Sequence, residues 1–224
     1  MKVTVISATG GIGRSVVEQA VAAGHDVTAT ARDPRRVQAP VRAVRVDLDE
    51  TSPAAAAALQ SAVVGADAVV SGLGPRSRAD AGITARGTRA VIRAMQDGGP
   101  RRLVVVSAAP VATVASPGRP NPPRYDPGDG FWTRHLLFPL TSLFLRRHYA
   151  DLALMEDDLR GSGLEWISVR PPQLTDGPFT GVYRTAQDRN VPGGLRISRA
   201  DVAHLMLTLA ERDDAGGYSV GCGY

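Results

Sequence analysis

Lys2-Val3-Thr4-Val5-Ile6-Ser7-Ala8-Thr9-Gly10-Gly11-Ile12-Gly13 is the stretch on which the reading of the fold turns. An apolar run runs into a loop of small residues, and the helical spacing of Ile12, Val16, Val17, Ala20 and Val21 follows at once. This is the start of a βαβ unit. Ser7, Thr9, Gly10, Gly11, Ile12 and Gly13 would let backbone N–H groups approach a pyrophosphate, with the positive end of the helix behind them. Gly13 lets the helix pack close to the strand. A ligand-free tight turn is the competing reading, and the strand–loop–helix context favours the phosphate loop.

Outward from this loop the pattern repeats. Strands are expected at Lys2 to Ser7, Asp26 to Ala31, Arg42 to Val46, Asp67 to Ser71, Arg102 to Ser107 and Leu164 to Val169, with short ones near Leu195 to Ile197 and Tyr218 to Val220. Helices are expected at Gly11 to Ala23, Pro53 to Val63, Ile83 to Asp97, about Ala150 to Gly161 or Gly163, and Arg199 to Ala210, the last capped by Ser198. Alternating strands and helices give an α/β, Rossmann-type, doubly wound parallel sheet. With 224 residues, a single domain spanning 1–224 is expected. The strand Arg102 to Ser107 is a continuous apolar run, so it reads as central and buried on both faces.

The second strand ends in Ala31-Arg32-Asp33-Pro34-Arg35-Arg36. An acidic residue there would suit the ribose 2′-OH of NAD. Arg32 and Arg36 instead suit a 2′-phosphate by charge and by forked geometry, so NADP(H) is the expected cofactor. Asp33 keeps the NAD reading open, and solvated surface arginines are the plainer alternative. After the third strand, Asp47 can accept from an adenine amino group while Leu48 packs on the ring; a helix-capping aspartate is the other reading. Gly72, Leu73 and Gly74 after the fourth strand let the chain pass close to ribose and phosphates.

Composition excludes several classes. The single cysteine, Cys222, rules out a disulfide framework and a cysteine metal site, and reads as an inert tail residue; no metal is expected. The net charge of +4 is carried almost wholly by scattered arginines, Lys2 being the one lysine, so nucleic acid is not an expected partner. Val3 to Ile6 is too short for a secretory leader, and no run of 18 apolar residues exists, so no integral membrane segment is expected and the cytoplasm is the expected location.

Residues 110–149 interrupt the pattern. Residues 110–130 are rich in proline, and Phe131 to Tyr149 is apolar but broken by Pro139 and by Arg134, Arg146 and Arg147. The segment follows the fifth strand on the carboxyl side of the sheet, where open α/β folds bind ligands. Three readings stay open: a substrate lid, a homodimer or partner surface through 131–149, and a peripheral membrane contact.

Several motifs carry a family resemblance across nearly the whole chain. Ser7 to Gly13 resembles G-A-T-G-x-x-G with Ser7 for the first glycine. Leu159-Arg160-Gly161-Ser162-Gly163-Leu164-Glu165-Trp166 with Arg170-Pro171-Pro172-Gln173-Leu174 is similar to L-R-x-S-G-L-x-W…R-P-P-x-L, and Gly177 to Gly181 and Ile197 to Ala203 match too. Together they resemble the atypical short-chain dehydrogenase/reductase group, in its NmrA-like NAD(P)H-binding branch, which includes biliverdin reductase B (flavin reductase). The resemblance implies 2′-phosphate roles for Arg32 and Arg36, and places Pro171, Gln173 and Leu174 beside the nicotinamide and Ser107 at the end of the fifth strand.

The family's usual Tyr–Lys pair is absent. Tyr149-Ala150-Asp151-Leu152 stands where related chains have Tyr-Ala-Asp-Lys. Hydride addition to an isolated carbonyl needs a positioned acid or oxyanion donor. A flavin, quinone or polycyclic ketone spreads the charge and needs less. Ser107, as a donor to substrate or to the nicotinamide amide, and Tyr149 are the candidate catalytic residues. Glu156 reads as a structural hydrogen-bonding residue, and His148, His135 and His204 as surface or structural histidines. The expected activity is NADPH-dependent reduction of a conjugated, largely apolar small molecule. A non-catalytic NADP-binding regulator and a biosynthetic isomerase or cyclase remain as alternatives.

Overall fold

The computed structural model describes residues 1–75, 77, 80–130 and 138–224, for 138–144 the backbone alone. Phe131, Arg134 and His135, named above, lie outside the described residues.

The strands are β1 (Lys2–Ile6), β2 (Asp26–Ala31), β3 (Arg42–Arg45), β4 (Ala68–Ser71), β5 (Arg102–Val106), β6 (Glu165–Arg170), β7 (Gln173–Thr175), β8 (Arg184–Gln187), β9 (Arg196–Ser198) and β10 (Tyr218–Gly223). The helices are α1 (Gly11–Ala22), α2 (Pro53–Val63), α3 (Ile83–Gln96), α4 (Phe138–Arg160) and α5 (Arg199–Ala210). The main sheet runs β3-β2-β1-β4-β5-β6-β10-β8, parallel except for β8 against β10. A two-stranded sheet pairs β7 with β9. The chain order reverses between β1 and β4, which opens a crevice at the carboxyl edge of the sheet.

Residue alternation builds two cores. Val104 and Val106 of β5 face α1 and α5, where Val16, Val17, Met206 and Leu209 are buried. Leu103 and Val105 face α2, α3 and α4, against Leu59, Ile92, Met155 and Leu159. Both faces of β5 are therefore covered, as its unbroken apolar run requires.

Helix starts follow local chemistry. Ser52 caps α2 by accepting from Ala55 N, and Ser198 caps α5 by accepting from Asp201 N. The α3 start is capped from another element: Asp151 of α4 accepts from Thr84 N at 3.0 Å and Ala85 N at 3.1 Å. By contrast, α1 has Gly10 at its cap, no side-chain cap and no acidic residue in its first turn.

Three expectations are corrected. The helix expected from about Ala150 begins at Phe138, so Tyr149 lies inside it rather than ahead of it. Strands β7 and β8 were not foreseen. Cys222 is no tail residue but a buried member of β10, and burial pushes its thiol up to about 12, which keeps it protonated and inert.

Candidate functional site: a dinucleotide groove and an adjoining cavity

The phosphate loop is shaped by backbone contact. Ser7 carries φ 59°, the left-handed conformation that favours glycine, at the place where the resembling motif has one. A Cβ on Gly13 would lie 2.3 Å from the Ser7 carbonyl oxygen, and one on Gly72 would lie 3.0 Å from Gly13 N. No larger residue fits at Gly13 without opening the turn. The bare start of α1 thus faces a cradle bounded by β1, β4 and the loop between, with free N–H groups and no acidic side chain of its own. These features fit a dinucleotide's diphosphate.

A groove extends from the loop along the ends of β2, β3 and β4. Ser7, Thr9, Arg32, Asp47, Leu48, Leu73 and Gly74 line it, so seven expected binding residues meet in one place. Thr30, Ala31, Val46, Asp49, Asp80 and Ile83 line it too and were not foreseen. Gly10, Gly11, Ile12 and Gly13 form the turn and first residues of α1. Arg36 sits exposed on the turn Pro34–Arg36 and is not among the groove's lining residues.

Asp33 is engaged locally: one oxygen accepts from Arg35 N at 3.2 Å and Arg35 Nε at 2.9 Å. The Arg35 hydrogen bond holds its carboxyl below the usual range. Asp47 turns one oxygen to Asp49 N at 3.1 Å and does not cap α2, whose cap is Ser52.

A second cavity, of about 420 Å³, opens beyond the ends of β5 and β6. Ser107, Pro171, Gln173, Leu174 and Tyr149 line it, together with Ala108, Ala109, Pro110, Pro172, Val191 and Leu195. From the segment 110–149 come Pro110, Gly128, Asp129, Leu145, His148 and Tyr149. Its proline-rich half is tied down: Asp126 Oδ1 accepts from Gly128 N and from Asn190 N, each at 2.8 Å, and Asn190 Nδ2 donates to Asp129 Oδ1 at 2.8 Å. Loop 188–195 carries no periodic signal, which is why Asn190 and Val191 escaped sequence reasoning.

His148 is a cavity residue rather than a solvated one. Burial lowers its pKa, with Asp151 opposing, so the ring is biased to the neutral form. Its Nδ1 is buried without a hydrogen-bond partner among the described residues.

Behind Ser107 lies a buried ionic network. Ser107 Oγ donates to Glu156 Oε1 at 3.0 Å and Ser168 Oγ donates to it at 2.9 Å. Arg170 reaches both carboxylate oxygens, at 2.8 Å and 2.5 Å. Burial alone would raise the Glu156 pKa; the Arg170 bonds and charge, with Ser168 and Ser107, outweigh it and hold Glu156 ionised. The structural role expected of Glu156 is the one found. Ser107 differs from expectation, because its one hydrogen goes to Glu156 and it offers lone pairs to the cavity.

The family model described as NAD(P)H-binding matches residues 7–213. The chain belongs to the NAD(P)H-binding family. Solved structures share its fold. A Lactococcus lactis oxidoreductase is 20% identical with a TM-score of 0.76, over 100% of this chain and 90% of its own. A candidate NADH-flavin reductase of Streptococcus pneumoniae is 24% identical with a TM-score of 0.73, over 100% and 99%. An anaerobillin reductase of Escherichia coli O157:H7 is 23% identical with a TM-score of 0.73, over 99% and 97%. At these identities the likeness shows the fold. No helix among the described residues of this NAD(P)H-binding protein is long and apolar enough to cross a membrane.

Proposed function

We propose that this chain is an NADPH-dependent reductase of a conjugated, largely apolar small molecule of flavin, quinone or polycyclic ketone type. The observation that carries the reading is the adjoining cavity: about 420 Å³, walled largely by Ala, Pro, Val and Leu side chains, at the carboxyl end of the sheet beside the residues of the dinucleotide site. Two structural neighbours carry reductase names, one for a flavin and one for anaerobillin.

Bound NADPH supplies a hydride. The protein's own residues hold and shield. Ser7 to Gly13 take the diphosphate, Arg32 the 2′-phosphate, and Leu48 the adenine face. With its hydrogen committed to Glu156, Ser107 accepts from the N–H of a carboxamide. Pro110, Pro171, Pro172 and Val191 give the cavity apolar walls. His148, which lines the cavity and is biased to the neutral form, is the titratable ring that would pass a proton to the reduced product.

NADPH is favoured over NADH because Arg32 lines the groove, whereas Asp33, the residue that would read a 2′-OH, is not among its lining residues. The test is to incubate the pure protein with NADPH and a panel of flavins, quinones and polycyclic ketones, following the reduced-nicotinamide absorbance. Substrate-dependent loss of that band is expected; no loss with any member, while NADPH binds, overturns the reading. One observation favours a second reading, an NADP-sensing protein without turnover: the one lysine, Lys2, lies in β1, so no Tyr–Lys pair exists. That reading predicts binding without turnover.

A further inference from the structure

Arg199 is an electrostatic misfit. It is the first residue of α5, at the positive end of that helix. Its side chain also crosses the start of α1: a Cβ on Gly11, the first residue of α1, would lie 2.7 Å from Arg199 Cδ and 3.0 Å from Nε. The two helices run side by side, with Gln19 Nε2 donating to Ala200 O at 2.9 Å. One guanidinium is therefore held against two positive helix ends. Cations belong at the opposite end of a helix.

Little in the fold answers this charge. The first turn of α1 has no acidic residue. Asp201, in the first turn of α5, is fully buried and already accepts from Thr180, Gly181, Ser198 and Tyr224. What remains is Asp176, whose side chain is 92% exposed and which meets Arg199 Nη1 at 2.5 Å. An ion pair with one partner so open to water contributes little. The side chain of Arg199 is itself only 33% exposed, so it is held over the loop rather than free in solvent.

We propose that Arg199 is a diphosphate-binding residue of the dinucleotide site, with Asp176 as its counterion when no dinucleotide is bound. The inference rests on the cofactor reading above. A diphosphate at the α1 N-terminus would answer three positive groups at once: the free N–H groups of α1, the start of α5 and the Arg199 guanidinium. The forked donor set of arginine suits phosphate oxygens. In binding, Arg199 exchanges a solvent-exposed carboxylate for a diphosphate partly enclosed by the protein.

This role separates Arg199 from Arg32 by what each reads. NADP⁺, NAD⁺ and ADP-ribose share the diphosphate; only NADP⁺ carries the 2′-phosphate. The experiment is equilibrium titration of wild type, Arg199→Met and Arg32→Ala with all three at several salt concentrations, with circular dichroism as the check on folding. Methionine keeps most of the apolar stem over Gly11. Arg199→Met is expected to weaken all three by about tenfold and to make binding less salt-dependent. Arg32→Ala is expected to weaken NADP⁺ alone. Asp176→Asn, which frees Arg199, is expected to tighten all three up to a few fold.

Unchanged affinities in a folded Arg199→Met overturn the proposal while leaving the cofactor reading intact. Loss confined to NADP⁺ also overturns it, since Arg199 would then read the 2′-phosphate. If wild type binds none of the three, the cofactor reading itself fails. If Arg199→Met does not fold, Arg199→Lys takes its place, and retained affinity for one shared point charge with a weakened bidentate contact, a loss of about threefold on all three ligands, supports the role; no loss overturns it.

Discussion

Ser107 just after β5 and Glu156 near the C-terminal end of α4 are joined by a 3.0 Å hydrogen bond in which the serine donates. The bond couples the wall of the cavity to a carboxylate that is 1% exposed. It fixes the serine's rotor, and so fixes which face of its oxygen the cavity sees. Arg170, at the end of β6, supplies the charge that keeps Glu156 ionised. The ends of β5 and β6, where Ser107 and Pro171 line the cavity, are thus clamped by one buried ion pair.

Removing one partner of that pair leaves the other charge buried. Glu156→Gln is expected to cost about 3–5 kcal/mol of stability. For a chain of this size that is a fall in Tm of about 10 °C. Replacing both partners, as Glu156→Gln with Arg170→Met, is expected to cost clearly less than the sum of the single changes, because no orphaned charge remains. Thermal melts of the four proteins measure this. An additive double variant would show that the two residues do not act as a pair.

Arg32 lines the groove while Arg36 stands outside it, which divides the two arginines that the sequence treats alike. Arg32→Ala is expected to raise the NADP⁺ Kd by about 10- to 100-fold with NAD⁺ unchanged. Arg36→Ala is expected to change it less than threefold. Competitive titration against both dinucleotides reads the difference; an equal loss of NAD⁺ affinity in Arg32→Ala removes the 2′-phosphate role.

The turn at the phosphate loop separates two small residues by strain. Ser7 at φ 59° carries about 1–2 kcal/mol of left-handed strain that a glycine would lack, offset in part by the entropy a glycine loses on folding. Ser7→Gly should therefore fold with stability within about 1 kcal/mol of wild type. Gly13→Ala meets the Ser7 carbonyl oxygen at 2.3 Å and should cost about 1–3 kcal/mol and weaken dinucleotide binding. Urea melts and a NADP⁺ titration check both. A Gly13→Ala protein as stable and as tight-binding as wild type would refute the close approach.

Those predictions rest on parts of the molecule that the sequence exposes unequally. The glycine loop and β1 to β6 were legible because close backbone approach and buried parallel strands demand particular residues: small ones at Ser7 to Gly13, an unbroken apolar run at Arg102 to Ser107. The start of α4 was not, because Pro139 reads as a helix breaker, yet it is the second residue of the helix, where the missing N–H costs nothing. His148 was misread because it follows Arg146 and Arg147; both arginines are exposed, and the next residues on the helix turn inward. The edge strand β8, Arg184–Gln187, has only one residue that is not exposed, so it shows no apolar alternation. Asn190 and Arg199 take their meaning from partners far along the chain, at Asp126 and Gly11, which no local pattern reports.

Acid should find its point of attack at Asp201. This carboxylate is fully buried and accepts from Thr180 N at 2.9 Å, Gly181 N at 2.9 Å, Thr180 Oγ1 at 2.8 Å and Tyr224 OH at 2.6 Å. Burial alone would raise its pKa, but these donors, Tyr224 foremost, bring it down to about 2 from an ordinary value of 3.8. A carboxyl whose folded pKa lies below its unfolded value adds stability that is complete above the unfolded value and is lost as pH falls through the folded one. The contribution, about 2 kcal/mol, is thus present above about pH 4 and drains away between about pH 4 and pH 2. Asp201→Asn should lower stability at pH 7 and flatten the dependence over that window, since asparagine has no proton to take up. Urea denaturation at closely spaced pH values tests this. An acid limb as steep in Asp201→Asn as in wild type would assign the loss to other carboxylates, of which Asp214, also held down to about 2 by Arg102, is the first to examine.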